Sequence, residues 1–246
     1  DIVGSFLRPD YLKDARAEYA EGTLSADELR EVEDKAIKEL VEKEIKAQLG
    51  NDVEMLSWKD PSIIQDAGKF GYVTKELAAR LVSMYMEAVN AGCDAIINLC
   101  SSVGEVADAC QNLAKYMGVP IVRVDEEMCR DAARKALKIG VVATLRTTLD
   151  PTKGTIARTS REIGRHVEMV DILVDGAFGL DQEQFKARML EETGKYKDDV
   201  DVFLFAQGSM AYCGDVIEQA YGKKVFSSPS YGAAALKKAL EFKGTI

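Results

Sequence analysis

The sequence predicts an α/β fold built mainly on parallel strands. Strand-like and helix-like stretches alternate through almost the whole chain, and the longest apolar runs are only as long as a strand. The chain has 246 residues, 47% of them hydrophobic, which is enough for one large domain or two smaller lobes. This alternation is typical of parallel sheets covered by helices, which bind ligands at the carboxyl ends of their strands.

The first element is a short strand, "DIVGSF", and the second is a long helix that begins near residue 25. Ser25 and Glu28 have the spacing of a capping box at the start of this helix, and Gly50 ends it. One face of the helix is predicted to be apolar because hydrophobic residues recur every three or four positions. These residues are Leu29, Val32, Ala36, Ile37, Leu40 and Val41.

Seven further strands follow, each separated from the next by a helical pattern or a loop. The predicted strands cover residues 52–56, 93–100, 119–124, 138–144, 167–174, 200–207 and 223–228. The predicted helices cover residues 74–92, 104–118, 125–137, 152–166, 181–197, 211–222 and 231–242. About eight strands suit either one closed barrel or two smaller doubly wound lobes, and periodicity alone leaves both open.

Charge and composition exclude several classes of partner. The net charge of −9 argues against a nucleic-acid partner, and the short apolar runs argue against a membrane span. The opening residues lack the basic stretch and long apolar core of a signal peptide. Five cysteines without a CxxC pair indicate reduced thiols, so we expect a cytoplasmic protein. A single histidine, His166, argues against a zinc site.

Four predicted strand ends carry small hydroxyl-bearing residues. They are residues 100–104, 143–152, 207–210 and 227–232. Hydroxyl groups and backbone amides at helix N-termini bind carboxylates and phosphates well, although serine and threonine are also ordinary helix caps. The chain has neither a GxGxxG nor a GxxxxGK[ST] motif, so no nucleotide cofactor is expected. The four loops together predict a site for a small anion.

Cys100 lies where a predicted buried strand opens into one of these loops. A helix N-terminus lowers the pKa of a thiol, so we expect Cys100 to be a reactive thiolate that abstracts a proton or attacks carbon. The alternative is that Cys100 is an inert core residue, which is the common role of a cysteine after a buried strand. That structural role is the one predicted for Cys93, Cys110 and Cys129, which lie within or beside apolar faces.

Six segments resemble the aspartate/glutamate/hydantoin racemase superfamily and occur in the same order. They are "AGCDAIINLCSSVGEVADA", "VRVDEEM", "KIGVVATLRTTLDPT", "DGAFGLDQEQF", "VDVFLFAQGSMA" and "VFSSPSYG", and the resemblance covers about residues 51–240. It implies two flavodoxin-like lobes with parallel sheets around a central cleft, with residues 1–125 plus 222–246 as lobe one and 126–221 as lobe two. It also implies a small carboxylate substrate, no cofactor, no metal, and a homo-oligomer, dimers being usual.

The resemblance also assigns candidate site residues. Cys100 matches the first catalytic cysteine of the family. The residues that match the loops holding the substrate carboxylate are Ser101, Ser102, Thr144, Thr147 and Thr148.

The second cysteine of the family has no direct counterpart. Gln207 occupies its expected position, followed by Gly208 and Ser209, while Cys213 lies six residues further on. Either Gln207 or Cys213 therefore faces Cys100, and the local motif favours Gln207. Glutamine cannot carry a proton as a thiolate does, but it hydrogen-bonds carboxylate or enediolate oxygens.

Three functions remain open on these residues. The first is a cofactor-independent isomerase, of the racemase or epimerase kind, acting on a small carboxylic acid or amino acid through Cys100. The second is a one-cysteine decarboxylase or lyase of the same fold, and the third is a carboxylate-binding protein without catalysis. Asp60 and Asp125, near strand ends, are either helping acids and orienting groups or solvated loop carboxylates.

The first 45 residues or so resemble a different family, the cobalamin-independent methionine synthase-like proteins. In that family "GSF" follows the first strand and its serine helps to hold an amino acid, which makes Ser5 a candidate substrate-binding residue. The zinc ligands of that family are absent, so methyl transfer is not expected. We expect "DIVGSF" and the following helix to form the first strand and helix of lobe one.

Overall fold

The structure is a computed structural model that describes residues 9–177 and 180–246. The predicted strand "DIVGSF" and the candidate Ser5 lie outside the described residues. The described part contains eleven α-helices and six strands. The strands are β1 (Ile96–Asn98), β2 (Ile121–Arg123), β3 (Lys138–Ala143), β4 (Glu168–Leu173), β5 (Val202–Phe205) and β6 (Val225–Phe226). The helices are α1 (Asp10–Ala20), α2 (Ala26–Leu49), α3 (Ser62–Phe70), α4 (Lys75–Asn90), α5 (Gly104–Ala109), α6 (Gln111–Met117), α7 (Glu126–Lys135), α8 (Arg146–Glu162), α9 (Gln182–Gly194), α10 (Gly214–Tyr221) and α11 (Ser228–Lys243).

Every strand pair in the described chain is parallel. Strands β1 and β2 form a two-stranded sheet, and a four-stranded sheet has the order β4-β3-β5-β6. In the larger sheet Ala143 lies opposite Leu173 at the carboxyl ends of β3 and β4. Strand β5 pairs with the other edge of β3, so the loops that follow these strands emerge at the same edge of the sheet. The predicted α/β fold with parallel sheets is confirmed.

The predicted strand at residues 52–56 does not form, because this segment pairs with no other strand in the described chain. Val53 and Met55 are partly buried against an apolar cluster of α2 and α11, while the residues beside them are exposed. The alternating pattern therefore reflects one-sided burial of an extended segment. Apolar and polar residues alternate in any extended segment that lies on an apolar surface. Whether the segment also pairs with a strand depends on residues elsewhere in the chain.

Helix α2 is built as the sequence predicts. The backbone amide of Glu28 donates to the Ser25 hydroxyl (3.2 Å), and the Ser25 amide donates to the Glu28 carboxylate (2.8 Å), which confirms the capping box. Its second half packs against α11 and the end of β2. The buried side chains of this contact are Val41, Ile45, Val124, Ala233, Leu236 and Leu240.

The chain crosses between the two sheets near residue 226. Strand β6 is hydrogen-bonded to β5 in the four-stranded sheet, with Phe203 opposite Val225. The helix that follows, α11, packs instead against α2 and β2, beside the two-stranded sheet. The division into lobes at residues 125 and 222 stays a prediction, and the structure puts β6 itself with the larger sheet.

Gly232 allows α11 to approach the end of β2 closely. A Cβ atom at this position would lie 2.6 Å from Cγ2, 3.0 Å from Cα and 3.1 Å from the carbonyl oxygen of Val124. Two of these three atoms belong to backbone, which yields less readily than a side chain. The contact between α11 and β2 therefore depends on a residue without a side chain.

We predict that Gly232→Ala lowers the free energy of unfolding by about 1–3 kcal/mol, because the added methyl group overpacks this contact. Gly154→Ala is the matched control: Gly154 is an exposed glycine inside α8, and its Cβ would meet nothing within 4 Å. The control is expected to raise stability by about 0.5–1 kcal/mol, the helix propensity of alanine over glycine. Urea unfolding of both variants measures the difference, and equal effects would contradict the close approach.

Candidate active site

The loop that follows β1 is fixed at Cys100 by a buried asparagine. Asn98, the last residue of β1, accepts a hydrogen bond from the backbone amide of Cys100 (3.0 Å) and donates one to the Tyr85 hydroxyl of α4 (2.6 Å). Asn98 is 7% exposed and Tyr85 is 5% exposed. The strand end is thereby tied to α4, and Cys100 begins a 3-10 turn, Ser101–Val103, that leads into α5.

The thiol of Cys100 is protonated at neutral pH. Burial raises its pKa to about 11, and the negative charges of Asp34 and Asp125 act in the same direction. The backbone amides of Ser102 and Val103 lower the pKa, but by less than burial raises it. Since the element at this point is a three-residue 3-10 turn, it brings few amides to the sulfur. The expectation of a lowered thiol pKa was wrong.

A buried ion pair lies beside this loop. The guanidinium of Arg123 makes two hydrogen bonds of 2.9 Å to Asp125 and one of 2.7 Å to Asp108. Both Arg123 and Asp125 are nearly inaccessible to solvent. A Cβ atom at Gly104 would lie 2.5 Å from Cζ of Arg123, so any side chain there would displace the paired guanidinium. The ion pair thus fixes the path of the chain immediately after Cys100, and Asp125 is a buried paired carboxylate.

On the larger sheet, the loops after β3 and β5 are joined by Gln207. Its side-chain oxygen accepts hydrogen bonds from the backbone amide (2.8 Å) and the hydroxyl (3.1 Å) of Thr144. A Cβ atom at Gly208 would lie 3.4 Å from the Ser228 hydroxyl, which places the loop after β6 beside it. Three of the four predicted hydroxyl-bearing loops therefore lie together at the carboxyl edge of this sheet.

The remaining candidates occupy different surroundings. Thr148 is buried and its hydroxyl donates to the Leu145 carbonyl (2.8 Å), whereas Thr147 is exposed. Cys213 is 1% exposed and belongs to the apolar core between the four-stranded sheet, α9 and α10. The candidates that are only partly buried are Cys100, Ser101, Ser102, Thr144, Gln207 and Ser209. Of the two alternatives for the second cysteine position, Gln207 lies in the loop and Cys213 lies in the core.

Asp60 has a local structural role. Its carboxylate accepts the backbone amide of Ser62 (3.0 Å) at the start of α3, and it pairs with Arg80 of α4 (3.1 Å). These contacts satisfy the carboxylate within the α3–α4 region.

Sequence reasoning missed three residues that shape this site. Asn98 and Arg123 are polar residues inside apolar strand patterns, and that misfit is a signal that a buried polar group has a partner. Asp34 belongs to the middle of α2, where a charged residue on a long helix is ordinary. Nothing in the local sequence distinguishes Asp34 from the other acidic residues of this helix.

In residues 9–177 and 180–246, no group of three or more His, Cys, Asp or Glu side chains stands close enough together to hold a metal ion. No helix in these two ranges combines the length and apolar character needed to cross a membrane.

The parallel sheets thus present a cysteine loop and a threonine–glutamine loop at their strand ends. The family model described as Asp/Glu/Hydantoin racemase matches residues 30–236, and the chain belongs to this family. The match begins inside α2, so α1 lies outside it. No curated protein matches the chain.

Solved structures share the fold at low sequence identity. A putative Asp/Glu racemase from Yersinia pestis is 19% identical with a TM-score of 0.62, covering 85% of this chain and 94% of that one. A glutamate racemase isoform from Bacillus anthracis is 17% identical with a TM-score of 0.59 (83% and 78% covered). An allantoin racemase from Klebsiella pneumoniae is 14% identical with a TM-score of 0.54 (84% and 83% covered).

We predict that Cys100 reacts with iodoacetamide only at alkaline pH, with a labelling midpoint well above the ~8.5 of a free thiol, because its thiolate is disfavoured by burial. Labelling is followed at the Cys100 peptide by mass spectrometry as the pH is raised. The thiolate is the species that reacts with iodoacetamide, so the labelling rate rises with pH until the pKa of the thiol is passed. A midpoint at or below pH 8 would contradict the electrostatics described here.

Proposed function

We propose that this protein is a cofactor-independent isomerase that acts on a small carboxylic acid or amino acid through the thiol of Cys100. The observation that carries the proposal is the position of Cys100 at the carboxyl end of a parallel strand, in a loop held by Asn98 and Arg123. Membership of the racemase family supports the reaction class. The similar structures include a glutamate racemase and an allantoin racemase, so the substrates of those proteins are the first to be tried.

The substrate carboxylate is proposed to bind between the two sets of loops. Ser101 and Ser102 contribute hydroxyl and amide donors on the Cys100 side, and Thr147 and Ser209 contribute them on the opposite side. The donors of Thr144 and Thr148 are held by Gln207 and by the Leu145 carbonyl, so these two residues shape the loop. The oxygen of Gln207 is already an acceptor for Thr144, so its amide nitrogen is the atom that donates to the ligand. Donors fixed in this way stabilise the enediolate charge that develops when the α-proton leaves.

The raised thiol pKa suits this chemistry in two ways. A neutral thiol does not repel an incoming carboxylate, and it is a ready proton donor to an enediolate carbon. Its conjugate thiolate, once formed, is a stronger base than an ordinary thiolate, because basicity rises with pKa. The amides of Ser102 and Val103 stabilise that thiolate. The resting thiol can therefore return a proton to carbon, and it can remove one only after it has released its own proton to solvent.

A one-thiol lyase or decarboxylase is the second candidate. Burial of Cys213 in an apolar core favours it, because a symmetric exchange of protons between two thiols needs both at the substrate. Decarboxylation followed by protonation from Cys100 needs only one thiol.

A homo-oligomer, which the family resemblance implies, and a cytoplasmic location, which the cysteine content favours, stay predictions.

The test is exchange of the α-proton in deuterated water. The protein is incubated with L- and D-aspartate, L- and D-glutamate, allantoin and α-substituted malonates, and loss of the α-proton signal, change of chirality and release of carbon dioxide are followed. We predict that Cys100→Ala lowers turnover of any active compound by at least about 100-fold, the contribution of a positioned acid–base group. Cys93→Ala, which removes another partly exposed thiol, is expected to keep wild-type turnover.

Each outcome separates the candidates. Exchange with inversion supports an isomerase, and carbon dioxide release supports a decarboxylase. Cys213→Ala lowering turnover as strongly as Cys100→Ala would restore the two-thiol mechanism. Wild-type turnover by Cys100→Ala would refute the role of this thiol.

A further inference from the structure

Helix α2 packs against the loop after β5, and one of its carboxylates acts electrostatically on Cys100. Ile37 lies against the loop after β5, since its Cγ2 would be 3.7 Å from a Cβ atom at Gly208. Asp34 is close enough to Cys100 for its charge to act on the thiol. Residues three apart share a helix face, so this face fronts the Cys100 loop and the Gln207–Gly208 loop at once.

The two ends of the hairpin formed by α1 and α2 are held by different parts of the molecule. The second half of α2 packs on α11, through Val41 and Ile45, beside the two-stranded sheet. Helix α1 is held instead by the segment that follows β4 in the larger sheet. The hairpin therefore crosses from one sheet system to the other over the candidate site.

Arg16 is the residue that holds α1 there. It is 2% exposed, and its guanidinium donates a hydrogen bond of 2.8 Å to the Leu180 carbonyl. It pairs with Glu33 of α2, the neighbour of Asp34, and its Cζ lies 5.2 Å from the centre of the Phe185 ring of α9. A planar guanidinium suits this site because it hydrogen-bonds in two directions while its face lies on an aromatic ring.

We propose that the α1–α2 hairpin forms one wall of the catalytic cleft, with Asp34 facing Cys100, and that Arg16 is the positioning residue that fastens this wall to the segment after β4. The proposal depends on the proposed function only in describing the cleft as catalytic. The position of the wall is a separate claim and is tested without a substrate. It assigns a role to α1, which lies outside the family match that begins at residue 30.

The charged and titratable groups around the thiol come from three elements besides its own loop. Asp34 belongs to α2, Asp125 and Arg123 to the end of β2, and Tyr85 to α4. Asp125 is neutralised in part by its ion pair with Arg123. Removing the charge of Asp34 therefore changes the field at the thiol without breaking that buried pair.

The experiment is alkylation of the individual cysteines by iodoacetamide at a series of pH values, read by peptide mass spectrometry. Asp34→Asn is expected to move the labelling midpoint of Cys100 downward by about one pH unit, because a nearby negative charge is lost. Glu31→Gln is the matched control, since it removes one charge from an exposed position of the same helix. We expect it to leave the midpoint at the wild-type value.

Arg16→Gln is expected to raise the labelling rate of Cys100 several-fold at fixed pH, because the released wall exposes the thiol. Arg16→Lys, which keeps the charge, restores part of the protection, and Lys13→Gln on the exposed side of α1 changes nothing. The buried cysteines Cys129 and Cys213 report global unfolding in the same samples. A local opening leaves their labelling unchanged.

Two results would overturn the inference. One is an unchanged Cys100 midpoint in Asp34→Asn, which means that α2 does not face the thiol. The other is a wild-type Cys100 labelling rate in Arg16→Gln. Should Arg16→Gln unfold the protein, so that Cys129 and Cys213 react together with Cys100, Asp34→Asn decides alone. Since no substrate is present, failure here is distinct from failure of the proposed reaction, which Cys100→Ala tests by turnover.

Discussion

The buried guanidinium of Arg123 determines the course of the loop that carries Cys100. It is held between Asp125 and Asp108, and it lies so close to Gly104 that a side chain there would displace it. A buried charge that loses its partner costs about 3–5 kcal/mol, so this arrangement allows few alternatives. On the other side, Asn98 holds the Cys100 amide and reaches Tyr85. The thiol lies between these two fixed points, and its position follows from them.

The surroundings of the thiol explain its protonation state. Apolar side chains remove water from the sulfur, and the acidic groups of α2 and β2 add negative potential, so the neutral form dominates. Only the amides of the short turn oppose this. In such a site the resting cysteine is a proton donor and not a thiolate nucleophile. That property agrees better with proton transfer to and from carbon than with permanent covalent attack. Membership of the racemase family is why we place an isomerase before a decarboxylase.

The sequence anticipates those features of the fold that depend on local chemistry. The capping box at Ser25, the alternation of strands and helices, and the meeting of the loops at Thr144 and Gln207 all follow from residue type and spacing. What it missed depends on distant partners. Residues 52–56 have the pattern of a strand but lie on helices, and the effect of Asp34 on Cys100 depends on how α2 packs in the folded chain. The pKa of Cys100 was misjudged for the same reason, since burial comes from side chains far away in the chain.

The central claim is that a small carboxylic acid binds between the Cys100 loop and the Thr144–Gln207 loops, with its α-carbon facing the sulfur. A crystal structure of the protein grown with L- and D-glutamate and L- and D-aspartate tests it most directly. The account predicts a bound acid whose carboxylate is held by Ser101, Ser102 and the amide nitrogen of Gln207, with its α-carbon about 3.5 Å from the sulfur. A ligand bound elsewhere, or a sulfur enclosed by apolar side chains with the acid out of its reach, would contradict it.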